Sequence, residues 1–284
     1  GRGARPGGVV LRRRREAPSG GEGRVAPGFG RDSENVGGRA TMGAVTKVWA
    51  HRGASGSAPE NTLPAFEMAI EQGADGLEFD VQLTRDDYVV VIHDETLERT
   101  TNGNGWVADH SLEDLKRLDA SAGREGFAGV RIPTLEELFG LVAGADVRLN
   151  VELKNSRIPY QGMEERVVAL IDRFGLRDRI ILSSFDHNSL RGLAEAGVGL
   201  PLGVLYSEPL WRPWNYAVKL GASALHPSLA ATRHKTVERS HENGLEVNVW
   251  TVNEAEDMLR VAECGADALI TNHPEVARGV LDAR

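Results

Sequence analysis

The chain has 284 residues, 41% of them hydrophobic, and a formal net charge of −8; this suits one large domain and leaves no apolar run long enough to span a bilayer. Its one cysteine, Cys264, excludes an internal disulfide and reads as a small packing residue at a helix end. Residues 1–41 hold nine arginines against four acids, so residues 42–284 carry −13, an acidic body without the basic footprint that nucleic acid requires.

The chain opens with a Gly/Arg/Pro/Ser-rich stretch that has no apolar period. A tail over residues 1–46 is expected to be disordered, because it cannot bury enough surface to offset its ordering entropy. No basic segment precedes an apolar signal core, so a soluble, cytoplasmic protein without a membrane anchor is expected.

From Val45 onward a junction recurs: a helical stretch ends at glycine, a small residue follows, and a strand begins. It appears at Gly73-Ala74-Asp75, Gly144-Ala145-Asp146, Gly221-Ala222-Ser223 and Gly265-Ala266-Asp267. Glycine accepts the left-handed conformation that ends a helix, and such repeated junctions mark βα units on a mostly parallel sheet. In chain order the strand candidates are 48–51, 77–81, 88–93, 148–154, 179–185, 201–206, 223–227, 245–252 and 267–271. Nine is one more than an eight-stranded βα barrel of about 250 residues needs.

The gap between 77–81 and 88–93 is too short for a parallel crossover and suits a hairpin centred on Asp86-Asp87. The expected fold is therefore a (β/α)8 TIM barrel over residues 47–284, with a hairpin arm after strand two. A small insertion over about 94–131 is either a lid or an inert surface loop. The hairpin would set Asp80 and His93 nearly opposite each other. Asn61 is the expected N-cap of the first helix, with Leu63, Phe66 and Ile70 on its apolar face, and another helix is expected over 134–144.

In a βα barrel, chemistry sits at the C-terminal strand ends. Strand one delivers His51-Arg52 there. Strand two carries Glu78 and Asp80 at i, i+2, on one face, and the strand at 148–154 repeats the spacing with Glu152 and Lys154. The latter pair suits either a site or an internal salt bridge that fills the mouth. The arm ends in His93. Glu78, Asp80 and Glu152 offer an all-oxygen set for one hard divalent cation, Mg²⁺ or Ca²⁺. Arg52 and Lys154 suit a phosphate, and His51 and His93 suit an acid and a base on either side of phosphorus. That inventory fits phosphodiester cleavage. It does not suit hydride transfer, since no G-x-G-x-x-G lies between strand and helix.

These residues fall within longer stretches: HRG at 51–53, PENT at 59–62, EFDVQLT at 78–84, HDETLERTTNGNG at 93–105, IPTLEEL at 132–138, NVELK at 150–154, SSFD at 183–186, WTVN at 250–253 and ITNHP at 270–274. In that order and spacing the chain resembles the glycerophosphodiester phosphodiesterases over nearly all of residues 48–276. The resemblance implies a TIM-type barrel, a divalent metal on Glu78, Asp80 and Glu152, His51 and His93 as the acid/base pair, and Arg52 and Lys154 on the phosphate. It implies that Phe185 and Trp250 line the substrate cleft, although barrel-core packing would also account for both. Asp87 and Asn272 depart from the resemblance, standing where glycine and aspartate are usual. The implied reaction releases glycerol 3-phosphate and an alcohol from a small glycerophosphodiester. A lysophospholipase-D-type enzyme and a catalytically silent binding barrel are the alternatives.

Overall fold

The computed structural model describes residues 45–283, so the expected tail lies outside the described residues except for its last two positions. The chain begins with β1 (Lys47–His51), α1 (Leu63–Glu71), β2 (Gly76–Leu83) and β3 (Val89–Val91). A connecting region follows, with a short α2 (Leu112–Arg117), and leads to α3 (Leu135–Val142). Strands and helices then alternate: β4 (Arg148–Leu153), α4 (Met163–Phe174), β5 (Ile180–Ser184), α5 (His187–Glu195), β6 (Leu202–Tyr206) and α6 (Pro213–Leu220). The chain finishes with β7 (Ala224–Pro227), α7 (His234–Glu242), β8 (Glu246–Val249), α8 (Ala255–Glu263), β9 (Ala268–Thr271) and α9 (Pro274–Asp282).

The parallel strands β1, β2 and β4 to β9 close into a barrel, because β1 pairs with both β2 and β9. The ninth strand, β3, adds antiparallel to the end of β2, as the short gap requires. The hairpin differs from expectation by one residue. Leu83 pairs with Val89 and Thr84 N–H bonds the Tyr88 carbonyl, so the loop has three residues and Asp80 faces Ile92 rather than His93. The third loop residue, Asp87, takes φ 68°, the left-handed conformation that such a loop needs and that glycine fills without strain.

Alternation along β2 sorts its side chains as the i, i+2 spacing requires. Leu77, Phe79 and Val81 pack outward into the main core beneath the helices, and Phe79 meets Phe66 of α1 edge-on with ring centroids 5.8 Å apart. Losing either ring would cost about 3–5 kcal/mol. Glu78 and Asp80 are left facing the barrel interior, whose apolar part comprises Trp49, Ile181, Ala224, Ala268 and Ile270.

Three of the four glycine junctions take the left-handed turn, at Gly73, Gly221 and Gly265; Gly144 does not. There α3 ends at Val142, and the guanidinium of Arg179 donates to the carbonyls of Val142 and Ala145, so the helix end is satisfied without a glycine turn. The residue two after each left-handed glycine closes a reciprocal pair with a neighbouring strand. Asp75 N–H donates to Val48 O at 2.7 Å while its carboxylate accepts from Val48 N–H at 2.8 Å. Asp267 does the same with Val247 at 2.9 and 2.7 Å, and Ser223 with Leu202 at 2.9 and 3.2 Å. This device lies at the N-terminal pole, opposite the expected site.

Between β3 and α3 the chain builds a satellite core from Val90, Ile92, Leu97, Val107, Leu115, Ala120 and Ile132. A capping box of Ser111 and Asp114 starts α2.

Candidate active site

β1 ends at His51, and the next two residues turn sharply, Arg52 at φ 57° and Gly53 at φ 79°. A Cβ on Gly53 would lie 2.7 Å from the Ala65 backbone, so only glycine lets the chain pass α1 here. The turn sends His51 and Arg52 to the barrel mouth. His51 Nδ1–H donates to Asn272 Oδ1 at 2.7 Å, and Ser55 Oγ donates to the same oxygen at 3.0 Å. The amide at 272 thus supplies the acceptor that an aspartate would. Burial, with the adjacent Arg52 charge, lowers the His51 pKa to about 4. Arg52 meets three carboxylates: its backbone N–H donates to Glu78 Oε2 at 3.0 Å, its guanidinium Nη1 donates to Glu60 Oε1 at 2.9 Å and its Nε lies 3.3 Å from Asp80 Oδ2.

Glu78, Asp80 and Glu152 are buried and offer oxygens that all lie within 4.8 Å of one another. Burial and repulsion from Asp80 push both Glu78 and Glu152 upward, with Glu152 adding to the effect on Glu78. Burial also favours neutral Asp80, but Arg52, His93, Lys154 and the Asn61 amide outweigh it and hold Asp80 below the usual carboxylate range. Lys154 Nζ donates to Glu152 Oε1 at 2.8 Å and stands 3.9 Å from Asp80 Oδ1. Asp80 Oδ1 is buried with no hydrogen-bond partner. Such an oxygen is costly to bury unless something neutralises it.

Asn61 is not the cap of α1; that position belongs to Thr62. Asn61 adopts φ 57°, and its amide donates to Asp80 Oδ2 at 2.9 Å while its Oδ1 lies 3.4 Å from Asp80 N. β1 pairs with β2 only as far as Glu78, and β3 joins only from Val81. Asn61 fills part of the gap between them, as a side-chain substitute for a strand neighbour.

His93 follows β3. Its Nδ1 lies 2.6 Å from Asp94 Oδ1. The buried Gln82 amide donates to the carbonyls of Ile92, His93 and Asp94 at 3.2, 2.9 and 2.7 Å, and Gln82 accepts from Tyr160 Oη at 2.8 Å. One residue of β2 therefore fixes the turn that carries the histidine. From the connecting region, Arg99 donates to Asp94 and to Glu60.

A cavity of about 220 Å³ is walled by His51, Arg52, Glu78, His93, Glu152, Phe185 and Trp250, together with Asn150, Leu205 and Ile270. Asp80 and Lys154 join this group through the contacts given above, so all nine expected site residues lie at one pole. Phe185 and Trp250 meet edge-on with centroids 5.6 Å apart. Trp250 both faces the cavity and packs on the barrel interior, and its indole N–H donates to the His226 carbonyl at 2.8 Å.

Residues 51–276 match the glycerophosphoryl diester phosphodiesterase family. The chain belongs to that family. A glycerophosphodiester phosphodiesterase of Caldanaerobacter subterraneus subsp. tengcongensis is 46% identical over 231 residues, covering 81% of this chain and 95% of its own. One from Bacillus altitudinis is 40% identical over 237 residues, 82% and 97% of the two chains. Among solved structures, an Oleispira antarctica phosphodiesterase in complex with the product sn-glycerol-3-phosphate superposes with a TM-score of 0.77 at 30% identity, covering 84% of this chain and 97% of that one. Family membership makes the protein a phosphoric diester hydrolase, and the silent-barrel alternative falls away.

Glu60, Asn61, Gln82, Asp94 and Arg99 support the site without having been expected there, Asn61 having been expected only as a helix cap. Each lies inside a stretch that carries the resemblance; Gln82 continues the i, i+2 series of Glu78 and Asp80 along β2, and the other four lie in loops. Their hydrogen-bond partners range from the adjacent residue, His93 for Asp94, to Tyr160, 78 residues from Gln82. The remaining histidines stay outside the cavity. His226 is fully buried in the barrel, and burial, with Arg148 nearby, lowers its pKa to about 3.

Proposed function

We propose that the protein hydrolyses small glycerophosphodiesters to sn-glycerol 3-phosphate and an alcohol, with a divalent cation at Glu78, Asp80 and Glu152 and with His51 and His93 as the proton-transfer pair. The observation that carries this reading is the trio of buried carboxylates crowded within 4.8 Å beside two histidines that line the same cavity. The local charge fits a cation. Glu60, Glu78, Asp80, Asp94 and Glu152 face Arg52, Arg99 and Lys154, an excess of two negative charges. Oxygen donors alone favour Mg²⁺ or Ca²⁺. When bound, the cation would supply Lewis-acid polarisation of the phosphoryl oxygens.

The chain's own groups do the rest. Arg52 and Lys154 meet the phosphate as fixed positive charges that need no reorganisation as negative charge develops. Both histidines have Nδ1 committed, to Asn272 and to Asp94, which leaves Nε2 for proton transfer. One takes a proton from the nucleophile and the other gives one to the departing alcohol oxygen. Phe185 and Trp250 supply an apolar wall for the non-reacting part of the substrate. The product held by the Oleispira relative, sn-glycerol-3-phosphate, supports this substrate class.

The test is incubation of the purified protein with glycerophosphocholine, following release of glycerol 3-phosphate with and without a chelator. Release that the chelator abolishes and Mg²⁺ or Ca²⁺ restores is expected. No release with either ion sinks the substrate assignment, and release unaffected by the chelator sinks the metal assignment.

One observation favours a second reading, in which lysophospholipids are also substrates. In the loop leaving β6 at the site pole, Trp211 is 84% exposed and Leu210 44% exposed. An aromatic and an aliphatic side chain in water at that rim suit an acyl chain. Cleavage of a long-chain lysolipid that Trp211→Ala selectively weakens is the expected sign.

A further inference from the structure

Arg99 forms no part of the cavity wall and lies in the connecting region between β3 and α3, with a side chain 48% exposed. Its guanidinium nonetheless makes four hydrogen bonds. Nε donates to Asp94 Oδ2 at 2.6 Å and Nη2 to Asp94 Oδ1 at 3.0 Å. Nη1 donates to Glu60 Oε2 at 2.6 Å and Nη2 to Glu60 Oε1 at 2.8 Å. These are two forked carboxylate pairs on one planar group, an arrangement that only arginine can make.

Both carboxylates reach onward to the site. Asp94 Oδ1 meets His93 Nδ1 at 2.6 Å, and Glu60 Oε1 accepts from Arg52 Nη1 at 2.9 Å. The result is an unbroken chain of side chains, His93–Asp94–Arg99–Glu60–Arg52, that joins two residues lining the cavity through three that do not. Its members come from the loop after β1, from Asp94 after β3, and from the connecting region. Each pays side-chain entropy to be held. Asp94 is kept ionised by the hydrogen bonds from Arg99, ahead of the opposing effect of burial, with its pKa lowered to about 2. An ionised Asp94 only accepts, so His93 Nδ1 must carry the proton.

We propose that Arg99 is a positioning residue that locks His93 in its Nδ1–H tautomer and, through Glu60, aims the fork of Arg52, so that the connecting region sets the acid/base and phosphate groups as one unit. This rests on the reading of His93 and Arg52 given above. Without Arg99, Asp94 is free to swing from His93, and Glu60 has Arg52 alone to hold it. Lysine does not replace the link, because one ammonium group cannot fork onto two carboxylates.

The test uses the full chain loaded with Mg²⁺ and compares Arg99→Ala, Arg99→Lys and Arg157→Ala. The last removes an exposed arginine whose partner is Glu95, at 3.2 Å, and serves as a control. Histidine ring nitrogens are observed by ¹⁵N NMR, and glycerol 3-phosphate release is followed in parallel. In both Arg99 variants, His93 is expected to lose its single tautomer and kcat to fall about tenfold to hundredfold. KM should rise as Arg52 loosens. Guanidinium added at low millimolar concentration should restore part of kcat and the Nδ1–H signal in Arg99→Ala, while sodium at equal ionic strength restores neither. Arg157→Ala should match the unaltered protein. An unchanged tautomer in both Arg99 variants overturns the proposal, as does a kcat within twofold of normal. If the unaltered protein releases no glycerol 3-phosphate, the assigned activity fails, and the tautomer measurement still decides the role of Arg99.

Discussion

The two poles of the barrel use the same residue type in opposite ways. At the N-terminal pole, the Asp75 carboxylate accepts from Val48 N–H at 2.8 Å and Arg278 at 2.7 Å, with Lys47 at 3.5 Å. At the C-terminal pole, Asp80 leaves one buried oxygen without a hydrogen bond, beside two further carboxylates. The first arrangement lowers the free energy of the fold. The second raises it, since like charges are held together out of water. Carboxylates that are individually satisfied hold strands in register, whereas carboxylates that crowd one another are kept for what they bind.

The largest effect should come from the histidines. His51→Ala and His93→Ala should each lower kcat by about 10²–10⁴ while leaving the fold intact, as measured by turnover and circular dichroism. Near-normal turnover in both variants would remove the two-histidine scheme. Next come paired substitutions that set one pole against the other. Asp75→Asn should cost about 1 kcal/mol in denaturant unfolding and leave kcat unchanged, because a half-buried strand cap is weakened far from the cavity. Glu78→Gln should do the reverse, abolishing turnover while raising the metal-free unfolding midpoint by about 1 kcal/mol equivalent, since it relieves the repulsion with Asp80 and Glu152. If Glu78→Gln destabilised the metal-free protein, the contrast between the poles would not stand.

The last effect, confined to acidic solution, concerns His226, buried between the poles. Its folded pKa of about 3 lies below its ordinary value of 6.5, so the unfolded chain binds the proton more readily. Its contribution to stability is therefore present above pH 6.5 and is lost as the pH falls towards 3. His226→Asn should flatten the decline of the unfolding midpoint across that window, whatever it costs at neutral pH. A slope identical to that of the unaltered protein would show that His226 is protonated without penalty.

Much of this was legible in the sequence where a regular period carried it. Glu78 with Asp80, and Glu152 with Lys154, announced a shared face because strand side chains alternate. The short gap before β3 announced a hairpin. What escaped depended on conformations that several residue types share, or on partners distant in the chain. Asn61 has the chemistry of an N-cap, but asparagine also tolerates positive φ, and the bonds to Asp80 decided between the two. The hairpin register turned on whether the loop held two or three residues, and Asp87 gave no glycine to mark it. Gly144 looked like its counterparts until Arg179 was seen to satisfy the same carbonyls from 34 residues away. Arg99 is joined to Glu60 across 39 residues, a separation at which no local pattern survives.

β2 gains a further consequence from its neighbours. All eight of its residues are buried, and along its length it is bonded by β1, then Asn61, then β3 on one side, and by β4 on the other. The strand that bears the crowded acids is thus also the most thoroughly tied. In native-state hydrogen exchange its amides should be among the slowest in the molecule, opening only when the barrel itself opens. The enzyme would then have no partly melted form in which those charges could reach water and relax: the discomfort of the site persists for as long as the protein is folded.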